Sequence, residues 1–180
     1  MDKVGLEPLR FPIGRFKKQE SISEATIKQC IRDIEALPQL MEFSVKELND
    51  AQLNTQYRPE GWTIRQVVHH VCDSHINSYV RFKWALTEEA PTIKAYDEKN
   101  WAEVEDGKNA PVEVSLEILK ALHRRWVMML KNLNKADLKR TFVHPETGYA
   151  YSLEMAITLY AWHGKHHVAQ IESLKERSGW

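Results

Sequence analysis

Residues 152–175 limit what this chain can fold into more than any other stretch. Apolar side chains recur there at Leu153, Ala156, Ile157, Tyr160, Gly164, Val168, Ile171 and Leu174, the three-and-four spacing of one face of an α-helix. Such a face is stable only when it is buried against partners. Within it lies His163-Gly164-Lys165-His166-His167. His163 and His167 are four apart, so they stand one turn above each other and face the side to be buried. Two imidazoles at that spacing can clamp one metal ion, as in H-E-x-x-H. Gly164 occupies the place of that motif's glutamate. The pair is therefore a candidate metal clamp without the protease base.

Three further helical patterns precede this one. Residues 1–20 carry Pro8, Pro12 and Gly14 among charges and read as an irregular arm, with Phe11, Ile13 and Phe16 to hold it to the body. Ser21 and Glu24 form a capping-box pattern ahead of Ile27, Ile31, Ile34, Leu37, Met41, Val45 and Leu48, and Pro38 predicts a kink or break near Leu37. Residues 50–61 are polar, with Pro59 and Gly61, and read as a connection. A second capping box, Thr63 with Gln66, opens a helix whose stripe runs Ile64, Val67, Val68, Val71, Tyr79 and Phe82. Residues 90–111 show no period and are long for a connector. They read equally as a surface loop packing Tyr96 and Trp101 or as a flap over a site. Residues 112–133 carry Leu116, Leu119, Leu122, Trp126, Leu130 and Leu133 at helical spacing. Thr141-Phe142-Val143 and Tyr149-Ala150-Tyr151 flank Pro145-Glu146-Thr147-Gly148, a hairpin pattern. The expectation is an all-α, up-down four-helix bundle with a small β-hairpin before the last helix and an irregular N-terminal arm, one domain over residues 1–180.

The charge balance narrows the partners. Lys+Arg and Asp+Glu are both 25, which argues against nucleic acid or an anionic membrane surface. Cys30 and Cys72 sit in helical patterns and read as reduced, buried thiols. No apolar run reaches membrane-spanning length, and a cytoplasmic protein acting on a small molecule is expected.

A metal site needs a third donor from another element. The helix after Thr63 offers His69, His70 and His75, and periodicity does not choose among them. No Glu-x-x-His pair occurs, which disfavours carboxylate-rich di-iron chemistry. His69 and His166 point about 100° from their neighbours and read as surface or supporting groups, while His123 and His144 read as exposed.

Trp62-Thr63-Ile64-Arg65-Gln66-Val67-Val68-His69-His70, followed much later by His163-x-x-x-His167-x-x-Gln170, resembles the signature of the DinB-like metalloproteins. Phe11-Pro12-Ile13-Gly14, Asp73-Ser74-His75, Tyr96-Asp97-Glu98-Lys99 and Tyr160-Ala161-Trp162-His163-Gly164 extend the likeness to their YfiT branch over nearly the whole chain. The resemblance implies that His70, eight residues after the tryptophan, joins His163 and His167 as a metal ligand, leaving His75 as the rival. It also implies a cytoplasmic four-helix bundle, a homodimer, and zinc or nickel with open coordination positions. The activity it implies is that of a metal-dependent hydrolase. Some relatives instead transfer a low-molecular-weight thiol such as bacillithiol to electrophiles. Three neutral imidazoles leave a cation its full charge and room to activate water or a thiol. Asp73, three residues after His70, is the nearest candidate catalytic carboxylate. A bundle that holds a metal or ligand without turnover is the non-enzymatic alternative.

Overall fold

Helix starts are set by side chains that cap them, and these caps fix where the site residues stand. The computed structural model describes residues 3–180. In chain order the elements are α1 (Lys3–Arg10), α2 (Glu24–Val45), α3 (Asp50–Leu53), α4 (Ile64–Thr87), α5 (Glu98–Trp101), α6 (Glu105–Asn109), α7 (Val112–Lys131), α8 (Lys135–Lys139), β1 (Thr141–Val143), β2 (Ala150–Ser152) and α9 (Leu153–Ser178). The Thr63–Gln66 capping box forms in full at the start of α4. Ser152 caps α9 through the Met155 amide, and Gly179 ends it in the left-handed region at φ +70°. At α2 the cap is Ser23, whose hydroxyl accepts from the Thr26 N–H. The box expected at Ser21 and Glu24 is displaced because Ser23 sits, extended, directly before the first turn.

Three elements differ from expectation. α2 runs unbroken through Pro38, held by Ile34, Leu37 and Met41, all at most 2% exposed. The N-terminal arm is helical at its start, as α1, and becomes irregular only after Arg10. The connection at residues 50–61 holds α3, with its own Asn49–Gln52 capping box.

The four long helices form the bundle. α2 and α7 are antiparallel neighbours, shown by ion pairs of Glu35 with Lys131 and of Glu42 with Lys120. α4 and α7 run parallel, with His69 beside Ser115, His75 beside His123 and Phe82 beside Trp126. α4 and α9 are antiparallel, with His70 facing His167, and Arg81 facing Tyr160. The directions are therefore up, down, down, up rather than a strict alternation. Two parallel neighbours cannot be joined by a short loop, so residues 88–111 must travel back along the bundle. That return explains their length. They pair first with the hairpin, Ile93 donating to the Val143 carbonyl, and then fold into α5 and α6 against α4. β1 and β2 pair antiparallel in the register Thr141 to Ser152.

The core has two apolar clusters. One gathers Ile34, Phe82, Trp126, Leu153 and Ile157; the other gathers Met41, Ile64, Val71, Leu119 and Ile171. Between them on α4, α7 and α9 lies a layer of histidines. Cys72 is buried and Cys30 half-buried, both as free thiols. Among the described residues no helix is long and apolar enough to cross a membrane.

Candidate metal centre

The antiparallel α4–α9 pair brings His70 against His163 and His167. Ring centroids are 5.4 Å apart for His70–His163, 4.9 Å for His70–His167 and 4.5 Å for His163–His167. One ring nitrogen from each lies within 4.8 Å of the other two. Zinc–nitrogen bonds are about 2.0–2.1 Å, so slight ring rotations let all three reach one cation. His70 and His167 are 9% and 6% exposed, and Trp62 lies against the His70 ring at 4.5 Å.

Burial keeps these rings neutral, with lone pairs available. Desolvation, helped by nearby His166, pulls His70 down to about 4. Desolvation likewise holds His163 and His167 well below the usual histidine range. Gln170 fixes the face that His167 presents. Its amide nitrogen donates to the Arg10 carbonyl, 2.9 Å away, so its oxygen points at His167 Nδ1, also 2.9 Å away. An amide oxygen only accepts; Nδ1 carries the proton and Nε2 is free to ligate.

Of the other histidines, His69, His75, His123 and His166 are buried rather than surface groups, and His144 is half-buried at the hairpin. His75 is fully buried with both ring nitrogens engaged, Nδ1 by His123 and Nε2 by His163, so it stands behind the cluster. His69 is buried between the Ser115 hydroxyl and the Ala110 carbonyl, at 2.7 and 3.0 Å. His123 is 2% exposed, and the expectation of an exposed ring there fails because it stands four residues after Leu119 and three before Trp126, on the face that α7 buries. His166 is sandwiched between Phe11 and Trp162. Gly164 lies under α2: a Cβ there would come within 2.5 Å of a Leu37 methyl. Its role is close helix approach rather than space beside a metal.

The cluster lies at a cavity of about 740 Å³. Tyr96, Glu98, Lys99, Asn100 and Glu103 line it from the returning segment, which makes that segment a wall of the site. Gln66 holds the wall to α4 by donating to the Ala102 carbonyl at 2.8 Å and to Glu103 at 3.1 Å. Arg10 and Phe11 line it from the arm, and no local pattern in the sequence marks them as site residues. Asp73 is not among the lining residues. Its carboxyl is pushed up to about 6 by burial, helped by the charge of Asp106.

The sequence profile of the DinB superfamily matches residues 33–171, a segment that contains all three clustered histidines. The chain belongs to the DinB superfamily. Within the superfamily it is similar to proteins of Bacillus mycoides and Bacillus cereus that bear the name "Putative metal-dependent hydrolase". Each is 54% identical over 175 residues, covering 97% of this chain and all of the relative. Among solved structures it is similar to YfiT from Bacillus subtilis, with a TM-score of 0.94, 47% identity, and coverage of 96% of this chain and 99% of that one. YfiT is described as "a probable metal-dependent hydrolase with an unusual four-helix bundle topology".

Proposed function

We propose that this protein is a metal-dependent hydrolase of a small molecule, with His70, His163 and His167 holding one divalent cation, Zn²⁺ first and Ni²⁺ second. The observation that carries this reading is the convergence of three neutral imidazoles, buried or half-buried, at the edge of a cavity large enough for a small substrate. A cation held by three uncharged donors keeps its full charge and supplies Lewis acidity at its open positions. The chain does the rest. Trp62 and Phe11 offer apolar faces to a substrate, while Arg10, Arg58 and Lys99 supply positive charge along the lining. In this reading Asp73, which does not line the cavity, acts only through its charge on Tyr96, which does. The protein works in the cytoplasm as a homodimer.

One observation favours a second reading, metal-dependent transfer of a low-molecular-weight thiol. Among the described residues no carboxylate belongs to the histidine cluster, and Glu103 is already engaged by Gln66 and Lys108. A thiol activated by the cation needs no strong base.

Metal analysis and chelator-controlled assays test both. Purified protein is expected to hold close to one equivalent of zinc or nickel, lost in a His70→Ala, His163→Ala double variant. An ester and amide panel should show turnover that the chelator abolishes. Chelator-sensitive thiol conjugation with no hydrolysis would replace the first reading with the second. Metal content unchanged in the double variant would remove both.

A further inference from the structure

The Ile34 carbonyl in α2 has no helical N–H to accept from, because the residue four positions on is Pro38. His123 Nδ1 lies 2.6 Å from that oxygen. A carbonyl oxygen only accepts, so the proton is on Nδ1 and the lone pair on Nε2. His75 Nδ1 is 2.9 Å from this Nε2, with the two rings 15° from coplanar and their centroids 5.0 Å apart. That geometry is an in-plane hydrogen bond, and His75 Nδ1 must be its donor. His75 Nε2 is then the acceptor, 3.1 Å from His163 Nδ1, which must donate in turn. The lone pair of His163 is left on Nε2.

We propose that His75 and His123 are positioning residues that carry the direction of the Ile34 carbonyl through two rings and lock His163 in the tautomer that ligates through Nε2. The proposal rests on the reading of His163 as a metal ligand. Each neutral imidazole has one donor and one acceptor, so fixing the first ring fixes the other two. Reversing the chain would set a lone pair against the Ile34 oxygen and a proton on the ligating atom. Among the described residues no carboxylate hydrogen-bonds to His75 or His123; Trp126 stands edge-on to both and Tyr160 to His75. The far end is a carbonyl that cannot keep a proton, so the chain transmits orientation and not charge. α9 thus presents Nε2 from both ligands by two separate devices, Gln170 behind His167 and the histidine pair behind His163.

Long-range ¹H–¹⁵N spectra of the imidazole rings in chelator-treated, full-length protein test this at neutral pH. His123, His75 and His163 are all expected as Nδ1–H tautomers. An Nε2–H form at His75 or His163 overturns the proposal, and the wild-type spectrum decides this whether or not any variant folds. In His75→Leu, His163 should become a tautomer mixture and zinc affinity should fall about 10–100-fold, the usual effect of removing such a partner. His75→Gln, whose amide oxygen can accept the same proton, should recover most of the affinity. Equal zinc affinity in wild type and His75→Leu overturns the relay. A wild type with the expected tautomers and no zinc binding overturns the metal reading and leaves the hydrogen-bond direction standing.

Discussion

Gly164 shows how one residue reconciles two demands. As a helix-interior glycine it is worth about 1 kcal/mol less than alanine. Yet an alanine Cβ would lie 2.5 Å and 2.8 Å from the two methyls of Leu37, itself 2% exposed and unable to swing into solvent. Overpacking of a tight core costs about 1–3 kcal/mol, so the clash outweighs the propensity gain. Gly164→Ala is expected to lower unfolding free energy in urea by about 1 kcal/mol, and an increase would mean that α2 and α9 can separate freely. The sequence around Gly164 does not show this contact, since its neighbour Leu37 comes from a helix more than a hundred positions earlier.

Among elements, the returning segment at residues 88–111 depends on a few polar clamps. Arg65, 6% exposed, donates to Asn54, to Asp50 and to the Ala110 carbonyl, tying α3 and the end of that segment to α4. Asp50 is 89% exposed, so the ion pair itself contributes little. The bond to the half-buried Ala110 carbonyl matters more, because a hydrogen bond from a charged donor contributes about 1.5–3 kcal/mol. Arg65→Ala is expected to lose about that much stability and to speed amide exchange in α6. Arg65→Lys should recover little, because an ammonium cannot make the forked contacts. Unchanged exchange in α6 would show that the segment is held elsewhere. The Thr63–Gln66 capping box and the apolar stripes of the long helices were legible because they are local. α1 and α3 were not, since Pro8 and the polar run at residues 50–61 carry strong turn character in isolation.

At the scale of the whole molecule, the histidine layer between the two apolar clusters makes stability depend on pH. Seven of the eight histidines are held below their ordinary range, with burial the leading cause in each. His123, for example, is pulled from 6.5 down to about 4. The unfolded chain therefore gains protons near pH 6.5 that the folded protein refuses. This contribution is fully present above pH 6.5 and is lost as pH falls toward 4, at about 1.4 kcal/mol per pH unit for each such ring. Asp73, pushed up to about 6, acts in the opposite sense, gaining stability as pH falls through that value. The histidines outnumber it, so chelator-treated protein should lose urea stability steeply from pH 6.5 to 5. A flat profile would mean that water reaches the layer.

The sequence by itself determined the four helical stripes, the Thr63–Gln66 cap, the hairpin and the His163–His167 spacing, because each depends on residues within one or two turns. Its likeness to a known family, rather than periodicity, singled out His70 from His69 and His75. The tertiary structure alone decided that α4 and α7 run parallel, that Tyr96 and Phe11 wall the cavity, and that His123 meets His75. Those outcomes rest on contacts such as His75 with His123 and with His163, 48 and 88 positions apart. Local spacing carries no record of which distant helix will supply the other half of a hydrogen bond.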